Sequence, residues 1–322
     1  MSEQAPIHGN YHGYYLKRPP SLSEPRLQAL PRGLLADAVV LDIGCNEGWI
    51  TCEIAQNWNA RKVVGVDIDD TLVQNAWKRR RTLWSLQEPL RVGDGELEYA
   101  DEEKLRLRKK KGKRKRTPSP PRIHPTKNYF PASCEHEFGP LPIPPYQVLA
   151  ALGSSSVDVG DADYDEDEGG KPKTSTSEAT RVFPYNVLFR TADWTKADIV
   201  EDAQGYGVVF ALSLTKWIHL NNGDAGLRTF FEKVHRVLKR GGTLVLEPQP
   251  WESYAKARRM SEALKQSYQS LVLRPSDFSG ILREIGFGEP RRVVGQGPEE
   301  EANTKAGSNV GFDRPIDLYV KL

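Results

Sequence analysis

The sequence predicts an α/β chain built on a mostly parallel sheet, one domain with a long insertion. Three observations carry this. Short apolar runs alternate with helical segments, as in βαβ units. The first run, AVVLDIGC (38–45), ends in a glycine turn that opens a helix. The alternation then stops over residues 91–180, where charge blocks and proline take over, and resumes afterwards.

The elements follow in order. AVVLDIGC (38–45) and KVVGVDID (62–69) read as strands buried on both faces, because they are apolar and β-branched without alternation. Helices are expected over 48–58, with Ile50, Ile54 and Ala55 on one side, and over 71–86. NVLFRTADW (186–194) reads as a strand and its exit loop, and GVVFALSLT (207–215) as another strand. LRTFFEKVHRVLKRGG (227–242) has amphipathic helical spacing and is expected to stop at Gly241 or Gly242, glycine being a usual helix stop. TLVLEPQPW (243–251) reads as a strand and loop, followed by helices near 254–270 and 276–286 and a last strand near 315–321. In such a sheet, ligands bind at the carboxyl ends of the strands.

The chain has 322 residues, with 45 Lys+Arg against 43 Asp+Glu. The near-neutral balance averages unequal segments. Residues 104–116, KLRLRKKKGKRKR, are almost wholly basic; 158–168, DVGDADYDEDE, are mostly acidic; the stretch between is proline-rich. Blocks of like charge repel themselves and such proline density blocks helices and central strands, so 91–180 is expected to be disordered. The expected map is 1–90 for the N-terminal entrance segment and first half of the domain, 91–180 for the insertion, and 181–322 for the second half. Three cysteines exclude a disulfide scaffold and fit a reducing compartment. No run approaches the ~18 uninterrupted apolar residues of a membrane span, and MSEQAPIHGNYHGYY lacks the basic-then-apolar pattern of a signal peptide.

Asp42-Ile43-Gly44-Cys45-Asn46-Glu47-Gly48 closes the first strand, and its glycines allow a ligand close to the backbone. Asp67, at the end of the second strand, can accept hydrogen bonds from two ribose hydroxyls. Strand, glycine turn, helix and a following acid suit an adenosine cofactor. The dinucleotide pattern G-x-G-x-x-G is absent, since Asn46 and Trp49 stand where it has glycine. S-adenosylmethionine, an adenosine without phosphate, fits better. Asp193 and Trp194 are then expected at the adenine, the acid for its amino group and the indole for stacking. No metal-ligand set is assigned.

GNYHGYYLKR (9–18), LDIGCNEGW (41–49) and LSLTKWIHLNNGDAGL with RVLKRGGTLVLEPQPWESY (212–254) together resemble the Bicoid-interacting-protein family of RNA methyltransferases. The resemblance spans nearly all the chain outside the insertion. It implies a Rossmann-like, seven-stranded class I S-adenosylmethionine-dependent methyltransferase sheet, and methyl transfer to a 5′ phosphate of RNA. The long insertion resembles the small-nuclear-RNA capping members, whose acceptor is the γ-phosphate of a 5′ triphosphate. By motif, the implied cofactor contacts are Tyr15, Arg26, Gly44, Cys45, Asn46, Gly48, Asp67, Ile68, Asp193, Trp194 and Leu212, with Arg26 on the methionine carboxylate. The implied phosphate contacts are Tyr14, Arg18 and Lys216, with His219 a further candidate. An anionic oxygen needs placement in line with the methyl group, and cations, rather than a strong base. The loop Glu247, Gln249, Pro250 and Trp251 is expected to wall the pocket around the first nucleotide. Trp217 and Trp251 could each stack on a base, core packing being the alternative for Trp217.

The expected partner is an RNA with a 5′ triphosphate, alongside ribonucleoprotein subunits such as a La-related protein; the chain is expected to be a monomer, off the membrane. The basic run 104–116 is read as a nuclear localisation signal, the alternatives being an RNA-binding arm or a solvated tail. A noncatalytic RNA-binding scaffold is the competing function.

Overall fold

The computed structural model describes residues 7–13, 24–87, 143, 181–293 and 314–322. Residues 1–80 and 181–322 form one compact unit, and 81–180 fall in a second. The basic run, the proline-rich stretch apart from Ile143, and the acidic block lie outside the described residues.

Seven strands form one sheet in the first unit: β1 (Val39–Ile43), β2 (Lys62–Asp67), β3 (Val187–Thr191), β4 (Tyr206–Leu212), β5 (Leu238–Glu247), β6 (Arg291–Val293) and β7 (Ile316–Val320). Their order is β3-β2-β1-β4-β5-β7-β6. Strands β1 to β5 pair in parallel, Leu41 lying opposite Val64 on one side and Val209 on the other. Strand β7 runs antiparallel to both β5 and β6. The strand order reverses between β1 and β4, and the crevice at such a switch point is where a doubly wound sheet binds its ligand.

Among the described residues the α-helices are α1 (Pro25–Gln28), α2 (Trp49–Asn57), α3 (Asp70–Ser85), α4 (Thr215–Val237), α5 (Trp251–Ala257), α6 (Glu262–Ser270) and α7 (Phe278–Ile285). The main core joins the sheet residues Leu41, Val64, Val209 and Leu244 to Phe230 and Phe231 of α4 and Phe278 of α7. Full burial of such side chains stabilises the fold by ~1.5–3 kcal/mol each. A satellite cluster of Trp217, Leu220, Tyr254, Leu264 and Leu271 fastens α5 and α6 to α4.

Three expectations differ from the structure. The helix expected to run to Gly241 or Gly242 ends at Val237, and Leu238 is already extended at φ −72°, ψ 138°. Leu238 pairs with Tyr206, but the next pair joins Thr243 to Val208, so 239–242 bulge from the strand. The glycines serve that bulge: Gly241 has φ +75°, and a Cβ on Gly242 would stand 2.8 Å from the Lys239 carbonyl oxygen. The helix expected near 254–270 is two helices, broken before Ser261, whose hydroxyl accepts the Leu264 amide as an N-cap. Helix α4, expected to begin at Leu227, already begins at Thr215 and is kinked at Gly223 (φ 70°, ψ −175°).

Candidate active site

The site begins at the carboxyl end of β1. Gly44 turns the chain at φ +73°, and Asn46 follows in the left-handed region at φ 52°, which asparagine tolerates better than most residues. This conformation aims the Asn46 amide at Asp67, whose Oδ2 accepts it at 2.8 Å, while Oδ1 accepts the Asp69 amide at 3.0 Å. Burial pushes the Asp67 carboxyl up, against those amide bonds. Asp67 is fixed in direction and keeps lone pairs for a ligand. Below it, Asp42 is buried and accepts from Thr51 Oγ1 at 2.6 Å; burial pushes it up to about 6.

A cavity of about 300 Å³ opens over this turn, within the range of small-molecule sites. Its walls include Gly44, Asn46, Asp67, Ile68, Asp193 and Trp194 around the ends of β1, β2 and β3, and Leu212, Ser213, Lys216, Trp217, Gln249 and Arg314 from the end of β4 onward. A Cβ on Gly44 would meet Leu214 Cδ1 at 3.2 Å, so the glycine keeps the cradle open. Arg26 also lines the cavity; its Nη1 donates to Glu247 Oε2 at 3.1 Å and its Nε to Glu24 Oε1 at 2.8 Å.

The segment 7–13 lies across the cavity and is tied down at several points. Asn10 donates to Asp69 at 2.8 Å, Asn46 donates to the Tyr11 carbonyl at 3.1 Å, and Asn221 donates to the Ile7 carbonyl at 2.8 Å. Gly9 packs on the Trp217 indole so closely that a Cβ would stand 2.2 Å from it, and Tyr11 meets the same ring edge-on at 5.8 Å.

The second part of the wall is built by β4, β5 and the start of α4. Ser213 leaves β4 at φ 56°, strained for a non-glycine residue. Bonds on three sides hold it there: its amide to the Glu247 carbonyl at 3.1 Å, its hydroxyl to Glu247 Oε2 at 2.6 Å, and its carbonyl to the Gln249 amide. Gln249 Oε1 also accepts the Lys216 amide at 3.0 Å, capping α4 and fixing where Lys216 projects. Burial, and then the charges of Arg314 and Lys256, push the Lys216 ammonium down to about 8. Its Nζ sits 4.4 Å from the centre of the Trp217 ring.

Several expected residues stand elsewhere or are engaged by other groups. His219 does not line the cavity. It is fully buried, with Nε2 2.6 Å from Asp224 and Nδ1 3.3 Å from the Tyr254 hydroxyl, so it is not placed to meet a phosphate. Gly48 (φ +73°) is likewise away from the wall; a Cβ there would stand 2.8 Å from Phe189, so it permits helix–sheet contact. Trp194 lines the cavity, but its indole is engaged in the core: Nε1 donates to Asp202 at 3.0 Å, the ring meets Phe230 edge-on, and Lys233 sits 4.2 Å from its centre. It is not free to stack on an adenine. Asp193 bonds Thr195 and pairs with Lys196 at 2.7 Å. The Cys45 thiol is buried, where desolvation raises its pKa. Trp251 stacks on Tyr268 at 4.8 Å under Arg274, and is absent from the cavity wall. Of the expected loop, Gln249 lines the cavity and Glu247 lies behind it, bonded to Arg26 and Ser213. Tyr14, Tyr15 and Arg18 lie outside the described residues. Sequence reasoning missed Asn10, Ser213 and Arg314; Asn10 and Ser213 fall inside the quoted motifs, whereas Arg314 carries no local signal.

The strand order and the adenosine-type turn over Asp67 define the class I S-adenosylmethionine-dependent methyltransferase fold, and S-adenosylmethionine is the cofactor it takes. A model of a methyltransferase domain matches residues 40–104, and the model described as Bicoid-interacting protein 3 matches 206–321. A probable RNA methyltransferase of Arabidopsis thaliana is 31% identical over 97% of this chain and 79% of its own length. The chain belongs to the Bicoid-interacting protein 3 family. The 7SK snRNA methylphosphate capping enzyme of Homo sapiens is 34% identical over 98% of this chain, which spans 39% of that protein's length. An RNA 5′-monophosphate methyltransferase of Rattus norvegicus is 38% identical over 24% of this chain and 28% of its own length.

Proposed function

We propose that the chain is an S-adenosylmethionine-dependent RNA methyltransferase that methylates the 5′ γ-phosphate of a small nuclear RNA, giving a monomethylphosphate cap. The observation that carries the reading is the uneven charge of one cavity wall: Asp67 and Asp193 stand at the ends of β2 and β3, Asp193 paired with Lys196, while past β4 Lys216 and Arg314 stand, among the described residues, without a carboxylate in the wall. An anionic acceptor suits that part of the wall. Similarity to a 7SK snRNA capping enzyme along almost the whole chain favours a triphosphate acceptor over the monophosphate of the shorter match.

The cofactor supplies a methyl group on a sulfonium. Asp67 receives the ribose, Ile68 and Asp193 flank the base, and Arg26 takes the methionine carboxylate. Lys216 binds the acceptor phosphate, joined by Tyr14 and Arg18 from the entrance segment. A phosphate oxygen is already charged, so these groups have only to hold it in line; good placement alone lowers a barrier substantially. The segment 7–13 keeps water from the cavity. The proposed place of action is the nucleus, reached through the basic run 104–116, and the proposed arrangement is a monomer acting on RNA with ribonucleoprotein subunits. The insertion boundaries 91–180 are part of this proposal.

The test incubates the protein with labelled S-adenosylmethionine and matched RNAs bearing a 5′ triphosphate, monophosphate or hydroxyl. Label should pass to the triphosphate RNA. Transfer only to monophosphate RNA would move the acceptor; RNA binding without transfer to any 5′ end would favour the scaffold.

A further inference from the structure

Arg314 stands two residues ahead of β7, and β7 is antiparallel to its neighbour β5, with Leu246 opposite Asp317. The last strand therefore begins at the edge where the parallel strands end, which delivers Arg314 to the mouth of the cavity. Its side chain is 15% exposed and lines the wall with Lys216. Among the described residues one hydrogen bond holds it, Nη2 to Ser213 Oγ at 2.6 Å. Its Nε lies 3.5 Å from Glu247 Oε1, and both atoms are buried without a hydrogen-bond partner. Glu247, 0% exposed, also serves Arg26. Glu24 shares Arg26, so two buried carboxylates meet the two guanidiniums, and the Lys216 ammonium, near enough for Arg314 to disfavour its charge, is the cation without a carboxylate beside it among the described residues. Like charges sharing a site out of water are costly unless an anion joins them.

We infer that Arg314 is a further acceptor-binding residue, clamping the RNA 5′ phosphate chain together with Lys216 while Ser213 and Glu247 hold it in position. The inference rests on the RNA 5′-phosphate reading above. A guanidinium presents a planar fork to two oxygens, whereas an ammonium is a point charge. The two cations can therefore hold neighbouring phosphates, and Arg314 discriminates in favour of a 5′ end with more than one phosphate.

The test uses the full chain with S-adenosylhomocysteine, titrated calorimetrically with inorganic tripolyphosphate, and single-turnover transfer to triphosphate and monophosphate RNA. Arg314→Gln should weaken tripolyphosphate binding at least ~10-fold, the loss of one charge-assisted contact, and slow transfer more on triphosphate than on monophosphate RNA. Arg314→Lys should be intermediate in both, and it carries the comparison if the glutamine variant melts early. In Arg314→Gln the alkaline fall of kcat/KM should also move to higher pH, because a like charge has left Lys216; the larger loss on triphosphate than on monophosphate RNA is the readout that a merely structural role would not move. Wild-type tripolyphosphate affinity in both variants, or no tripolyphosphate binding by wild type, overturns the inference. Arg314-dependent tripolyphosphate binding without methyl transfer to any RNA 5′ end upholds Arg314 as an anion contact and removes the RNA reading.

Discussion

Arg26 Nη1 donates to Glu247 Oε2 at 3.1 Å, joining residues 221 positions apart, both almost wholly buried. The contact ties the segment before β1 to the end of β5, with Arg26 in the cavity wall and Glu247 behind it. Removing one partner of a buried ion pair costs ~3–5 kcal/mol when the other's charge is left wholly uncompensated, but here Arg26 keeps Glu24. Glu247→Ala should therefore destabilise the fold by less than that, and Glu247→Gln by less again, since the amide oxygen still accepts; chemical denaturation measures both.

Asp67→Ala should weaken S-adenosylmethionine binding roughly 10- to 150-fold, the equivalent of ~1.5–3 kcal/mol for hydrogen bonds to a charged acceptor. Calorimetry on folded protein decides it. Because Asp67 also receives the Asn46 and Asp69 amides, Asp67→Asn is the milder control for loosening of the turn. Unchanged affinity in both variants would remove Asp67 from the cofactor site.

Asp42 titrates in the folded protein near 6, above the ordinary carboxyl value, because it is buried. Between pH ~4 and ~6 the native state then holds a proton that the unfolded chain has released, so this residue lowers stability as pH rises through that window and no further above it. The amount is of order 3 kcal/mol. Asp42→Asn keeps an acceptor for Thr51 and should flatten that part of the stability curve. Parallel curves for wild type and variant would contradict the assignment.

Lys216, held near 8, loses its charge at milder alkalinity than a surface lysine. If it binds the acceptor phosphate as a cation, kcat/KM should be full below pH ~8 and fall above it. Lys216→Arg, which stays charged, should abolish that fall even where its rate is lower. A profile of unaltered shape in the arginine variant would rule Lys216 out as the titrating group.

Deleting residues 96–178 should leave the melting temperature and transfer to a short triphosphate RNA near wild type, because the sheet and cavity belong to the unit formed by 1–80 and 181–322. Binding of long RNA should weaken, most at low salt, if the basic run contacts phosphates. Loss of cooperative unfolding in the deleted protein would show that the boundaries are wrong.

The sequence by itself determined the alternation of strands and helices, the glycine turn before α2 and the acid closing β2. Each is a local property: periodicity, a glycine after an apolar run, an acid at a strand's end. Even so, the end of α4 was misread, because Gly241 and Gly242 look like a helix stop and instead shape a bulge set by pairing with β4. The tertiary structure alone decided which polar groups face the cavity. His219 sits in a motif beside the site, yet Asp224 and Tyr254 draw it into the interior, and Asp202 holds the Trp194 indole in the core although that residue lines the cavity. Arg314 precedes an ordinary apolar strand, and only the antiparallel course of β7 brings it beside Ser213 and Lys216. Spacing along the chain records which face of one element a residue occupies; contacts between elements far apart in sequence arise only when packing brings their ends together.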